Sequence, residues 1–466
     1  MTARTFLPVI GVSAAMFAGC GGGDSGPHVG AIIRLTPAGA NYGVVAARDG
    51  HAAIVATPDT GAATLTLRSR TGPSQWSNPT LVAAPGFQAM GVSLGLDDSG
   101  RPTVGWVARH LSTTASQITT RNPHGTWPRP TSIPPVGRTG LAPFEIGVTG
   151  HGDAISVWDP EIGQVPAQVT ATVHRADGTW TPAHLLERTT TPRLPAQTIL
   201  VPHSDSGTVV WQRDETAGRQ FHSTLHAARW SEGGGWQATR TLPTTGRVVA
   251  LADAKPLAGG RTLIAWTALE NGTENLHVAT LGPDGSFTQL GAIRIGQDQS
   301  PNTPQLATAT DGSAAVLVPR WTAGNAPADL ALVRITPDGQ LGTPQVLDQA
   351  SAPQARKAPP APNPAIRSRT SHLWGAGLTL ADDGTVTAAW ATSPTRAAAR
   401  PGTTRMTIAT IPLTGTTQST QEHLQTDGGG IAETRVDQLG SGVALVTWRL
   451  TVKGRLAGTY GVEVSP

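Results

Sequence analysis

The sequence predicts an all-β fold assembled from one repeated antiparallel unit, and three observations carry that expectation. The first is a glycine turn leading into a short apolar strand with tryptophan six residues past the glycine, as in Gly152→Trp158. The same spacing recurs at Gly100→Trp106, Gly260→Trp266, Gly384→Trp390 and Gly442→Trp448. Looser copies are Asp205-Ser206-Gly207 with Trp211, Gly50 with Ala56, and Gly312 with Val318, which makes eight units. The second is composition: 55 Gly and 38 Pro with only 14% charged residues favour short strands and turns over helices. The third is a second turn pattern, seen in Asp177-Gly178-Thr179-Trp180, Gly125-Thr126-Trp127 and Gly234-Gly235-Trp236.

Each unit reads as four strands. Strand a is apolar and alternating, as in Gly91-Val92-Ser93-Leu94-Gly95-Leu96, and a tight turn follows it at Asp49-Gly50, Asp98-Ser99-Gly100, Asp205-Ser206-Gly207, Asp311-Gly312 and Asp383-Gly384. Asp caps such turns with its side chain, and Gly accepts the positive φ they need. Strand b carries the tryptophan, and strand c follows a variable connection, for example at Val169-Thr170-Ala171-Thr172-Val173-His174-Arg175. The second turn pattern, weaker at Asp284-Gly285-Ser286-Phe287 and Asp338-Gly339-Gln340-Leu341, leads to strand d, as in Pro79-Thr80-Leu81-Val82. Four antiparallel strands repeating every ~50–70 residues match the blades of a β-propeller.

The chain ends complete each other. After Trp448 there is room for a strand c at Tyr460-Gly461-Val462-Glu463-Val464, and the missing outer strand is available as Ala31-Ile32-Ile33-Arg34-Leu35. Pairing them closes the ring and removes two sheet edges. The expectation is a single propeller of eight four-stranded blades over residues 29–466, or seven, since the first unit has Ala56 where others have tryptophan. A Pro/Ala-rich basic insertion at 350–371, with Arg356, Lys357, Arg367 and Arg369, is expected between blades six and seven.

Residues 1–19 read as an export signal: Arg4 is followed by an apolar run from Phe6 to Phe17 and then by small residues. Phe17-Ala18-Gly19-Cys20 resembles the lipobox of bacterial lipoproteins, and the resemblance implies lipidation of Cys20, with residues 20–28 as a flexible tether. The chain is then expected on the extracytoplasmic side of a cell or outer membrane, held by the lipid anchor. The formal charge of +3 is small for 466 residues, so no nucleic-acid partner is expected.

The c–d turns resemble the Asp-box of bacterial sialidases and related propellers, chiefly at Asp177, Asp284 and Asp338. In that family the box is a folding element remote from the active site, so the resemblance implies fold and no catalysis. The family's catalytic pattern needs a tyrosine nucleophile and an arginine cluster, whereas only Tyr42 and Tyr460 are present, both expected in closing-blade strands. A looser similarity links the chain to the tryptophan-marked propeller lipoprotein of outer-membrane assembly machinery.

No metal-ligand spacing, nucleophile elbow or phosphate-cradling loop is present, and no cofactor is expected. Most tryptophans sit at repeat-locked places and read as packing, with Trp230, Trp321 and Trp374 outside the pattern and better placed to stack on a ligand. Topology puts the tight a–b and c–d turns on one face and the longer b–c and d–a connections on the other. The charges just after strand b are therefore the candidate binding residues: Arg109, His110, Asp159, Glu161, Arg213, Asp214, Glu215 and Glu270. The functional expectation is a binding or scaffold module for an envelope protein or a glycan. The alternative is a glycan-acting hydrolase or lyase with two carboxylates in a pocket, one of raised pKa.

Overall fold

The structure, a computed structural model, describes residues 27–36, 40–48, 50–58, 64–82, 88–110, 113–133, 144–158, 167–189, 197–217, 220–296, 304–321, 327–349, 373–392, 403–414, 417–425, 431–440, 442–452 and 455–465. Cys20, residues 1–19 read as an export signal, Asp159, Glu161 and the insertion at 350–371 lie outside the described residues.

The chain forms eight antiparallel sheets, each a blade of consecutive strands. The first strands of the blades are Ala40–Arg48, Gln88–Leu96, Phe144–Val148, Thr198–Pro202, Arg247–Leu257, Gln305–Thr308, Leu373–Leu380 and Ile431–Gln438. Each packs beside the first strand of the next blade, and the eighth packs beside the first, so they encircle an axis. The second strands carry the tryptophans: Trp106, Trp158, Trp211, Trp266, Trp390 and Trp448. The only helical element among the described residues is the short 3-10 turn Ala258–Gly260. The eight-bladed propeller read from the glycine–tryptophan repeat is the fold, and Ala56 occupies the tryptophan place of a genuine first blade.

Alternation along the first strands explains the core. Leu94, Ile146, Leu200, Ala254, Leu306, Leu378 and Val436 are buried between blades, where their apolar area leaves water. The strand b tryptophans join these clusters, with Trp106, Trp211, Trp266, Trp390 and Trp448 all buried. Two of them also tie blades together through the indole N–H. Trp390 Nε1 donates to Asp348 Oδ2 of the preceding blade at 2.8 Å, and Trp211 donates to Glu187 likewise. Trp230 is buried in the cluster between blades three and four, so it is a packing residue and not a stacking platform. Of Trp321 and Trp374 only the backbone is described, in strands of blades six and seven.

The tight turns behave as their chemistry requires. Gly152 stands at φ 93°, a conformation that costs an L side chain strain. Asp177 Oδ1 accepts from Thr179 N at 2.8 Å, and Asp284 Oδ1 from Ser286 N at 2.9 Å. In blade two the capping carboxylate is Asp97, which accepts from the amides of Ser99 and Arg101. The neighbouring Asp98, expected in that role, instead pairs with Arg48 of blade one at 2.6 Å.

Closure follows the expected pairing. Ile33 and Arg34 face Gly461 and Tyr460, and His28 and Val29 face Ser465 and Val464, so the N-terminus supplies the outer edge of blade eight. Pairing thus starts at His28, at the end of the stretch read as tether. Tyr460 lies in this closing blade, but Tyr42 does not; it belongs to the first strand of blade one. Across the seam, Arg70 of blade one holds both carboxylate oxygens of Glu463, at 2.8 and 3.0 Å, with both side chains largely buried. Arg70→Ala would strand the buried Glu463 charge and should cost about 3–5 kcal/mol by urea denaturation. Deleting residues 28–36 should cost at least as much and promote aggregation through the bared edge. Unchanged unfolding in both variants would show that the seam does not hold the ring.

Candidate functional site

Register against the strand b tryptophans defines one level of the axial channel. The residue before each tryptophan, or before its substitute, pairs with one residue of the first strand. Around the ring these partners are Val44, Ser93, Glu145, Ile199, Asp253, Gln305, Gly377 and Arg435. Two residues further along, Lys255 and Asp437 stand at a second level with Ala46, Gly95, Gly147, Val201, Ala307 and Thr379.

These polar side chains first serve the blade junctions. Every innermost strand leaves alternate N–H groups pointing away from its own sheet, and such donors need partners when buried. Ser93 Oγ accepts from Ile146 N at 3.1 Å, Glu145 Oε2 from Leu200 N at 3.1 Å, and Asp253 Oδ2 from Leu306 N at 2.9 Å. Each bond runs from one blade to the next. Ile199 cannot repeat the device, and Ala254 N is bonded instead by Asp253 Oδ1 at 2.8 Å. At the junction of blades seven and eight the level is held by Gly377, where a Cβ would lie 2.8 Å from Val436 N.

The second consequence is electrostatic. Burial pushes the Glu145 carboxyl up to about 8; the Leu200 N–H and the Lys255 charge oppose this shift, and Asp253 reinforces it. Arg435 Nε bonds Asp437 Oδ1 at 2.8 Å, and Lys255 Nζ lies 3.4 Å from Asp253 Oδ1. The acids are buried, with side chains 12% and 13% exposed for Asp253 and Asp437, whereas Lys255 is 42% and Arg435 54% exposed. Lys255 belongs to blade five and Arg435 to blade eight, and both cationic heads reach water.

The residues expected at the strand b ends are only partly brought together. Arg213 bonds Glu187 of blade three at 2.8 Å, with Glu187 only 8% exposed, so it is a blade-to-blade tie and not a freely solvated charge. Asp214 accepts from Gln212 Nε2 at 2.7 Å and Ser223 Oγ at 2.6 Å. Glu270 accepts from Asn275 Nδ2 at 2.8 Å and lies 3.4 Å from His277 Nε2. Arg109, His110 and Glu215 lie in the last residues of their second strands, where the structure describes the backbone only. The axial residues were not singled out from sequence. Their signal is a polar residue 13 positions before the tryptophan, as Glu145, Asp253 and Arg435 stand to Trp158, Trp266 and Trp448.

No protein-family model and no curated protein matches the sequence. Among solved structures, the chain is similar to the WD40 domain of SCAP from fission yeast, at 10% identity and TM-score 0.48, over 95% of this chain and 98% of that one. It is similar to the polysaccharide lyase Uly1 at 8% identity and TM-score 0.44, over 78% and 88%. It is also similar to the NanB sialidase from Streptococcus pneumoniae at 10% identity and TM-score 0.39, over 89% and 83%.

Glu145 gives a pH test. Its folded pKa lies above the ordinary 4.5, so its contribution is full below about 4.5 and is lost as pH rises towards about 8. Chemical denaturation from pH 5 to 9 should show the wild type losing stability relative to Glu145→Gln over that window. Parallel pH profiles for the two proteins would refute the raised acid.

Proposed function

We propose that the chain is an exported, lipid-anchored propeller that binds an envelope protein or a glycan on the face bearing the ends of its second strands. What supports this most is the contrast between the two faces. On the turn face, consecutive a–b turns are bonded to each other. Asp98 N donates to Gly150 O at 3.1 Å, Gly150 N to His203 O at 3.0 Å, and His151 N to Ser204 O at 3.1 Å. Thr310 N likewise donates to Asp382 Oδ1 at 3.0 Å. These groups are committed to the ring. The opposite face carries the charged strand ends on a rigid support, which is how recognition surfaces are usually built.

Alanine at Arg109, His110, Asp214, Glu215 and Glu270 should weaken capture of an envelope partner, by about 2 kcal/mol where a charge contact is buried in the complex. Asp98→Ala, Asp177→Ala and Asp311→Ala on the turn face should leave capture unchanged. Arg213→Ala is a poorer probe, because it also removes the cation that faces the buried Glu187 at the blade junction. Weakened capture by the turn-face changes alone would place the binding surface on the wrong side.

The anchor is tested separately. Metabolic labelling with a fatty-acid analogue should mark the wild type and not Cys20→Ala. An unlabelled wild type would refute the lipoprotein reading while leaving export standing.

One observation favours a second reading, a glycan-acting hydrolase or lyase: Glu145 holds its proton to about pH 8 in the channel and could serve as a general acid. Turnover of an acidic polysaccharide that vanishes in Glu145→Gln would replace the binding reading with this one.

A further inference from the structure

The c–d turns of the first five blades fill the blade junctions with aromatic side chains. Trp76, Trp127, Trp180 and Trp236 of blades one to four pack against the junction clusters, as does Phe287 of blade five. Blade six has Leu341 at the same place, bridged to Ile335 as Trp180 is to His174. The facing residue shrinks as well. Between blades three and four, Trp236 stacks on His184 with ring centroids 5.9 Å apart. His184 opposes Ala171, one residue past the strand c partner of Trp158; the same register in blade five puts Gly291 opposite Val278. A stacked aromatic pair is thus replaced by a glycine and a leucine, and side-chain volume is lost.

Between blades five and six a cavity of about 140 Å³ opens there, bounded by Leu290 next to Gly291 and by Gly339 near Leu341. Leu263, Ala314 and Ile335 complete an apolar floor. A cavity of ~150 Å³ holds a benzene ring, so one phenyl side chain matches this space. Turn-to-turn bonds close the junctions of blades two and three, three and four, and six and seven. Among the described residues none is recorded between the a–b turns of blades five and six.

Two opposite charges line the same cavity. Arg261 spends Nε on Ala258 O at 3.1 Å, and no partner of its Nη nitrogens is recorded among the described residues. Asp338 accepts from Thr336 Oγ1 and, at 2.9 Å, from Gln340 Nε2, neutral donors that leave its charge uncompensated. The two charges form no ion pair with each other. Thr280, only 9% exposed, also lines the space, and no hydrogen bond of its hydroxyl is recorded among the described residues.

We propose that this cavity binds a free amino acid with a phenyl-sized side chain. The ring enters the apolar floor, the α-carboxylate meets the Nη edge of Arg261, and the α-ammonium meets Asp338. A zwitterionic head suits two opposite charges that do not neutralise each other, and the Thr280 hydroxyl offers it a further hydrogen bond. An aromatic side chain of a partner protein brings no charged head and would leave both groups unmatched. The site lies on the turn face and goes beyond the strand-end surface proposed above.

L-Phenylalanine is the probe, titrated calorimetrically into the purified chain, with 3-phenylpropionate, phenethylamine, N-acetylphenylalanine amide and L-alanine as comparisons. Saturable phenylalanine binding is expected, with each ring analogue lacking a charge bound about tenfold more weakly and alanine not bound. Arg261→Gln should weaken phenylalanine and 3-phenylpropionate and leave phenethylamine unchanged; Asp338→Asn should weaken phenylalanine and phenethylamine and leave 3-phenylpropionate unchanged. Ala314→Leu puts a larger side chain into the cavity and should abolish binding. If Ala314→Leu fails to fold, the opposed patterns of Arg261→Gln and Asp338→Asn decide the matter. Absence of saturable phenylalanine binding, equal binding of alanine, or full affinity in a folded Ala314→Leu would each overturn the assignment. N-Acetylphenylalanine amide bound as tightly as phenylalanine would overturn it in favour of a partner's side chain. Loss of partner capture by the strand-end alanines with phenylalanine binding intact would support a separate site.

Discussion

Each blade carries an innermost strand with only one partner, and the structure depends on how the exposed edge of that strand is satisfied. A buried amide without an acceptor costs about 1–3 kcal/mol, so a ring of eight such edges could not close on apolar packing alone. Ser93, Glu145 and Asp253 meet the need by reaching from one blade to an amide of the next. Gly377 meets a related need by having no side chain where two backbones converge. The axis is therefore polar for structural reasons before any functional reason is invoked.

The same logic extends outward. Between blades the contact is apolar, built from one parity of the first strand and from the tryptophans of the second. Two buried indole N–H groups are received by a carboxylate of the previous blade's outer strand, that of Trp211 by Glu187 and that of Trp390 by Asp348. Glu187 also holds Arg213, so one buried acid ties two groups of the following blade. At the seam Glu463 plays a comparable part for Arg70 and for Ser74 N, which it accepts at 2.9 Å. Buried acids facing donors on the adjacent blade are thus a repeated device of this ring.

Function is constrained by what those bonds leave over. The turn face is committed to itself through backbone bonds between consecutive turns. The channel retains two cationic heads whose counter-ions are sequestered in the wall, and an acid whose proton is held by burial.

Much of the architecture was legible in the chain itself because its determinants are local. A glycine at positive φ, an aspartate two residues before an amide, and a tryptophan at fixed distance act within one hairpin, so their repetition reported eight blades and the pairing of the ends. The site was not legible in this way. Arg213 reads in sequence as a loop charge, yet Glu187 makes it a junction residue; Trp230 reads as a free aromatic, yet two blades bury it. Glu145, Asp253 and Arg435 are separated by more than a hundred residues each in the chain, and each looks like an isolated polar break in an apolar strand. Only ring closure brings them to one level, because register within each blade and the stacking of blades about the axis are set by long-range pairing that no single segment encodes.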